Sequence, residues 1–290
     1  MLNASVASLA QLLNTGRPIV GPGVYDCLSA KLAEAAGFPM AFLSGYCLSA
    51  TLLGEPDFGL LSAAEVVAAA ERVCSAVSIP IVVDIDTGYG NAFNVDRVVR
   101  QLVRCGAAGC FLEDQAWPKR CGHMERKRVI PVEEYVVKLK AALAARGTAP
   151  FHVTARTDAR AVEGLPSAIA RARLYRDAGA DAVFIEAPQS VEELVTIRRE
   201  VEGVTLVANM VEHGKTPLLP ASELHAMGYS LIAAPVTGVL AAAHALRDAY
   251  ATLQAQGIST AAQGRMLGFG EFNDFLGLAG KYAQEAAWQK

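Results

Sequence analysis

Ala178-Gly179-Ala180-Asp181, followed by Ala182-Val183-Phe184-Ile185-Glu186, reads as a helix end, a glycine stop and a short apolar strand tipped by an acid. Glycine just past a helix is the usual left-handed stop. The same figure recurs along the chain. Ala35-Ala36-Gly37-Phe38 precedes Met40-Ala41-Phe42-Leu43, Cys105-Gly106-Ala107-Ala108 precedes Cys110-Phe111-Leu112, and Met227-Gly228-Tyr229 precedes Leu231-Ile232-Ala233. Strands that are apolar on both faces are parallel strands covered by helices. Eight such strands are expected, near 19–23, 39–44, 79–86, 109–114, 150–156, 182–187, 204–209 and 230–235. Helical patterns fall at 63–77, 95–104, 132–145, 167–178, 191–201 and 221–227. Eight alternating units in 290 residues predict an α/β fold, a (β/α)8 TIM-type barrel. The competing arrangement is an open doubly wound sheet, but no G-x-G-x-x-G follows the first strand. Past residue 236 the pattern is helical, at 238–256, 260–266 and 271–282, which exceeds what closure needs. Residues 1–290 are therefore taken as one barrel domain, with 238–290 a helical extension that packs on a partner subunit.

Composition narrows the function. Hydrophobic residues make up 52% and aromatics only 7%, which suits a large aliphatic core. The net charge is −3 with no basic patch, so nucleic acid is not an expected partner. No apolar run reaches the roughly 20 residues of a membrane helix. Residues 1–13 show a mild amphipathic helix pattern without a charged n-region or cleavage site, so no signal peptide is expected. The six cysteines form no C-x-x-C pair and mostly sit in apolar segments, as in a reduced, cytoplasmic protein.

In a barrel of this kind, chemistry gathers at the C-terminal strand ends. Those ends here carry Ser44, Asp84 with Asp86, Glu113 with Asp114, Arg156 with Asp158, Glu186, and Asn209. Helix capping explains any one of these. It explains Arg156 and Glu186 least well. Asp84 and Asp86, two apart, emerge on one side of their strand, and Glu113 follows on the next. Such carboxylates suit Mg2+ or Mn2+; the alternative is a salt-bridge cluster with Arg156 and Lys119. Gly88-Tyr89-Gly90-Asn91 is a turn through which backbone can approach a ligand. Lys119-Arg120-Cys121-Gly122-His123 places a thiol among cationic and polarisable groups, on a loop marked by Pro118 and Gly122. These neighbours are expected to lower the thiol's pKa and to ease proton exchange. Phe42, Tyr46, Met210 and Pro235 offer permissive packing for a substrate's tail.

Taken together, Lys119–His123, Asp84-Ile85-Asp86-Thr87-Gly88-Tyr89-Gly90-Asn91, Leu43-Ser44-Gly45-Tyr46 and Gly54-Glu55-Pro56-Asp57-Phe58-Gly59 resemble the isocitrate lyase/phosphoenolpyruvate mutase superfamily. The likeness runs from about residue 17 to 275. It is strongest to the short carbon–carbon lyases, those similar to 2-methylisocitrate lyase, 2,3-dimethylmalate lyase and the petal death protein. The stretch from Phe111 through Trp117 to His123 also resembles proteins labelled carboxyvinyl-carboxyphosphonate phosphorylmutase. The resemblance implies a metal site at Asp84 and Asp86 with Glu113, and Asp57 near metal and substrate. It implies substrate contacts from Ser44, Gly45, Tyr46, Arg156, Glu186 and Asn209. It makes Cys121 the acid that protonates the leaving carbanion, with Lys119 and His123 on the same mobile gating loop. It implies homotetramers with a terminal helix exchanged between subunits. Phe42 stands where methylisocitrate lyases carry tyrosine, which favours dimethylmalate, oxaloacetate or petal-death-like substrates. The expected activity is Mg2+-dependent retro-aldol cleavage of a 2-hydroxy or 2-oxo dicarboxylate. Rivals are C–P chemistry on phosphonopyruvate, oxaloacetate hydrolysis or decarboxylation, and a non-catalytic dicarboxylate-binding protein. The intact carboxylates and loop thiol weigh against the last.

Overall fold

The structure is a computed structural model that describes residues 8–289. Eight parallel strands close into a barrel in sequence order: β1 (Ile19–Val24), β2 (Ala41–Leu43), β3 (Ile81–Asp84), β4 (Gly109–Glu113), β5 (His152–Thr157), β6 (Ala182–Ile185), β7 (Thr205–Asn209) and β8 (Leu231–Ala234). The register is closed by pairing of Ile19 with Leu231. All eight strands lie where the sequence places them. Glycine stops make this possible: Gly106 and Gly179 hold φ of +83° and +101°, where a side chain would be strained.

Local chemistry also sets the helix starts. Ser62 caps Ala63–Ala76 and its hydroxyl accepts from the Glu65 amide, while Glu65 closes the box on the Ser62 amide. Asn91 caps Ala92–Arg104 in the same way. Cys27–Ala35 is the helix that the stop at Gly37 implies, although its own residues show no strong period. The short helices Gly45–Leu48 and Ala159–Val162 lie outside the expected patterns, and one expected helix divides. The segment 271–282 is two helices, Phe269–Phe275 and Leu278–Trp288, because Gly277 turns left-handed at φ +83°. Of the 1–13 pattern, Leu9–Leu13 is helical and the first seven residues lie outside the described ones.

The core has two shells. One fills the barrel with Ile19, Met40, Phe42, Val82, Phe111 and Phe184, and Leu9, Leu12 and Leu13 pack into it. The other lies between sheet and helices. Inside the barrel Phe42 stacks on Phe111 at 5.0 Å, and Phe111 meets Phe184 at 5.8 Å. The chain forms two compact units, one through Val239 and one from Leu240. In the second, Phe269–Phe275 and Leu278–Trp288 bury no residue within the chain. No helix is long and apolar enough to cross a membrane among the described residues.

One buried group makes acid stability testable. His152 opens β5 at 7% exposure, and burial pushes its imidazole down to about 4. The unfolded chain then binds a proton near pH 6.5 that the folded chain refuses until about 4. Stability is lost as pH falls through that window, by on the order of 3 kcal/mol. His152→Asn is expected to flatten the slope of urea-unfolding free energy between pH 6.5 and 4. An unchanged slope would assign acid lability to other groups.

Candidate active site

Two strand tips and one loop bring the acids together. Asp84 ends β3, and two residues later Asp86 takes φ +49° and donates its amide to Asp84 Oδ1 at 3.0 Å. Gly45 faces both: a Cβ there would lie 3.1 Å from Asp84 Oδ2 and 3.4 Å from Asp86 Oδ1. Glu113 ends β4 opposite Arg156. Asp57 arrives from the loop before the Ala63–Ala76 helix. Into this group reaches Lys119, 3% exposed, with Nζ 2.6 Å from Asp57 Oδ1 and 2.6 Å from Asp86 Oδ1. The second contact is a charge contact only, since its angle leaves Asp86 Oδ1 without a hydrogen bond.

Burial alone would push the Lys119 ammonium down, but Asp86, Asp57, Glu113 and Asp84 outweigh it and hold it well above the ordinary value. Burial pushes Asp86 up to about 7 against the pull of Lys119, with Asp84 and Asp57 adding to the rise. Glu113 is raised well above the usual carboxylate range, chiefly by burial.

Arg156 organises a second group. Its Nε lies 2.9 Å from Asp158 Oδ2 and 3.2 Å from Glu113 Oε2, and Nη2 lies 3.1 Å from Glu186 Oε2. The guanidinium also covers the Phe184 ring at 5.3 Å. Glu186, 1% exposed, accepts from its neighbour's amide at 2.8 Å and from Asn209 Nδ2 at 3.2 Å. Burial opposes its charge, yet Arg156 and His123 hold its carboxyl far below the usual range. Such a saturated, stabilised carboxylate anchors cations and is a poor base. Beneath, fully buried Asp114 accepts from Thr157 Oγ1 (2.6 Å), the Asp158 amide (2.9 Å) and Tyr175 OH (2.8 Å). It fixes the end of β5.

The loop of residues 115–130 lies over both groups. The Gln115 side chain brackets Arg120 through its carbonyl and amide, at 2.8 and 3.1 Å. The Cys121 amide donates to the Asp57 carbonyl at 3.1 Å. His123 accepts the Lys215 amide on Nδ1 at 2.9 Å and turns Nε2 to within 3.3 Å of Glu186, at an angle too poor for a full hydrogen bond. Gly122 cannot be replaced here, because a Cβ would lie 2.3 Å from Glu186 Cγ and 2.5 Å from Arg156 Nη2. The structure corrects the expected thiol acidity. Burial pushes Cys121 up to about 11, which the His123 backbone only partly offsets, with Asp57 and Glu186 adding to the rise. The thiol therefore keeps its proton at neutral pH.

Ser44 is buried and caps Gly45–Leu48, accepting from the Cys47 amide at 3.4 Å. Tyr46 is half-buried and its phenol is raised by burial and by the charges of Cys121, Cys47 and Asp57. Phe42 is only 3% exposed, and its ring belongs to the aromatic stack inside the barrel. It floors the site and does not line an open tail pocket. Sequence reading missed Lys127, Gln115 and Lys215. Lys127 stands in the run Glu125-Arg126-Lys127-Arg128, which reads as solvated charge; its neighbours are exposed and it alone is buried.

No three His, Cys, Asp or Glu side chains form a ready metal cage among the described residues. The donor chemistry nevertheless fits a hard cation. Asp57, Asp84, Asp86, Glu113, Asp158 and Glu186 gather around Lys119, Lys127 and Arg156, six carboxylates against three permanent cations, with His123 beside Glu186. Glu113 Oε1 is buried without a hydrogen-bond partner, and Asp86 Oδ1 has the Lys119 ammonium as its one neighbour of opposite charge. Magnesium keeps several waters and needs few protein oxygens.

Acids at a barrel mouth, a guanidinium and a thiol on an overlying loop thus form one buried polar cluster at the strand ends. A family model described as phosphoenolpyruvate phosphomutase matches residues 9–254, so the chain belongs to the phosphoenolpyruvate mutase/isocitrate lyase superfamily of lyases and mutases. It is 48% identical over 274 residues to the chloroplastic carboxyvinyl-carboxyphosphonate phosphorylmutase of Arabidopsis thaliana, covering 93% of this chain and 80% of the relative. It is 42% identical over 274 residues to 2,3-dimethylmalate lyase of Eubacterium barkeri, covering 94% of each. Among solved structures, phosphonopyruvate hydrolase in complex with oxalate and Mg2+ superposes with a TM-score of 0.87 at 32% identity, covering 97% of this chain and 98% of that one.

Proposed function

We propose that this enzyme is a carbon–carbon lyase that cleaves a 2-hydroxy dicarboxylate, or a closely related 2-oxo dicarboxylate, by retro-aldol chemistry. The observation that carries this reading is Cys121, whose backbone amide is held by the Asp57 carbonyl and whose buried thiol, near Asp57, Glu186 and Arg156, keeps its proton. Carbon protonation needs a weak acid that still holds its proton at neutral pH. The likeness to 2,3-dimethylmalate lyase supports the bond cleaved. The likenesses to phosphonopyruvate hydrolase and to carboxyvinyl-carboxyphosphonate phosphorylmutase support C–P chemistry as the rival.

Asp84, Asp86 and Glu113 would hold Mg2+, or Mn2+, with Asp57 nearby. Such an ion, when bound, neutralises charge and acts as a Lewis acid toward substrate oxygens. The chain's own groups do the rest. Ser44 and the Gly45 and Tyr46 amides receive a carboxylate, and Arg156 faces the charge that develops. Water beside the C2 hydroxyl takes its proton as the C2–C3 bond of a 2-hydroxy substrate breaks; a 2-oxo substrate first adds water at C2 and cleaves as its hydrate, leaving a carboxylate at C2. From the 2-hydroxy substrate C2 becomes the carbonyl of a 2-oxo acid, and in both cases the bonding pair stays on the other fragment. The Cys121 S–H gives its proton to that carbon, and solvent restores the thiol. Glu186 and Asn209 hold Arg156 and His123 in place; Lys119 balances Asp57 and Asp86. Incubation with Mg2+ and a panel of 2-hydroxy and 2-oxo diacids, with release of the 2-oxo acid or carboxylate followed, is expected to find at least one substrate. Turnover of phosphonopyruvate alone would favour the rival.

Metal affinity should depend on pH. A cation needs ionised carboxylates, and Asp86 holds its proton up to about 7. Calorimetry is expected to find Mg2+ binding about tenfold weaker at pH 6 than at pH 8. Equal affinities would remove Asp86 from the metal site. In the C-terminal unit Leu246, Tyr250, Leu253 and Trp288 are exposed, which supports a homo-oligomer, a tetramer on the family's pattern.

A further inference from the structure

The run Glu125-Arg126-Lys127-Arg128 contains one buried cation whose role the reaction does not explain. Arg126 takes φ +61°, and the turn it makes leaves Lys127 only 9% exposed. Lys127 Nζ donates to the Gly122 carbonyl and, at 2.8 Å, to Asp158 Oδ1. Asp158 is fully buried at the end of β5 and receives Arg156 as well, through Nε at 2.9 Å and Nη2 at 3.2 Å. One carboxylate thus takes a cation from the loop and a cation from the barrel, and Asp158 Oδ1 is shared by both.

We propose that Lys127 is a positioning residue, a latch that holds the 115–130 loop down and thereby sets Arg156. The inference rests on the reading that this loop carries the reaction's thiol. When the loop is down, Lys127 satisfies a carbonyl and a carboxylate. Without the ammonium, the Gly122 carbonyl has one donor fewer, and Asp158 has Arg156 as its remaining cation. An unmatched buried acceptor is unfavourable, and an unmatched buried charge more so. Lys127 makes both contacts only with the loop down, so its loss removes stabilisation from that state and not from a raised one, and shifts the loop upward. The guanidinium, no longer sharing Asp158, is drawn toward it and away from Glu186.

The latch can be tested without any substrate. Full-length protein is treated with iodoacetamide, and labelling of Cys121 is timed by peptide mass spectrometry; trypsin cleavage after Arg126 is followed in parallel. Lys127→Met, similar in length but without charge or donor, is expected to raise both rates at least tenfold. Arg128→Met, an exposed neighbour in the same run, is expected to change neither. Equal rates in Lys127→Met and the parent would overturn the latch, as would an equal rise in Arg128→Met. If circular dichroism finds Lys127→Met unfolded, Lys127→Gln carries the same test, with a rise of at least threefold expected and no change contradicting the proposal. Because labelling needs no turnover, this result is independent of which diacid, if any, is cleaved.

Discussion

Cys121→Ser is expected to lower kcat on the order of 10²-fold or more while leaving Mg2+ affinity within about twofold. Serine keeps the size and the position, because the backbone amide to the Asp57 carbonyl is untouched. It replaces a thiol pushed up to about 11 by a hydroxyl that gives up its proton far less readily. The metal-site carboxylates are not altered. Steady-state kinetics with calorimetry on the same preparation checks both halves. Unchanged kcat would refute the acid role, and lost metal binding would make Cys121 a structural part of the site.

Asp84→Ala is expected to drop metal-dependent turnover to below about 1% of the parent, and to do so without harming the metal-free fold. Asp84 sits in a cluster where six carboxylates face three cations. Removing one anion relieves like-charge repulsion when no divalent ion is bound. The same change removes one oxygen of the proposed metal site and the acceptor that holds the Asp86 amide. Melting in chelator should therefore stay level or rise, and the stabilisation added by Mg2+ should vanish. Full activity in excess chelator would contradict the metal assignment; a large loss of chelator-phase stability would show that Asp84 is needed for folding.

The barrel is legible because its punctuation is local. Each small-residue turn ends a helix and each following apolar run can only be a covered strand, so eight strands could be placed without tertiary information. Gly45–Leu48 and Ala159–Val162 escape because four residues are too few to show a helical period. The break at Gly277 escapes because one glycine inside a helical pattern is ambiguous until the backbone chooses φ +83°. The site is legible where residue type and strand end coincide, as for Asp84, Glu113, Arg156 and Glu186. The thiol's acidity is misread for a physical reason. Lys119 is bound to Asp57 and Asp86, and Arg120 turns away to cover Phe58 at 5.4 Å and to reach the Glu125 carbonyl at 3.2 Å. Neighbours in sequence therefore contribute little positive charge at Cys121, and burial decides. Lys127 is hidden for the complementary reason: its burial depends on Asp158, 31 residues away.

The most direct measurement is carbon NMR of the products when a cleaved 2-hydroxy diacid is turned over in heavy water with Mg2+. Retro-aldol cleavage with delivery from Cys121 should give a 2-oxo acid and a second carboxylate bearing one deuteron at the former C3, in a single configuration that Cys121→Ser scrambles or slows. Carbon dioxide in place of the second carboxylate, or equal deuteration and rate in the serine variant, would contradict it.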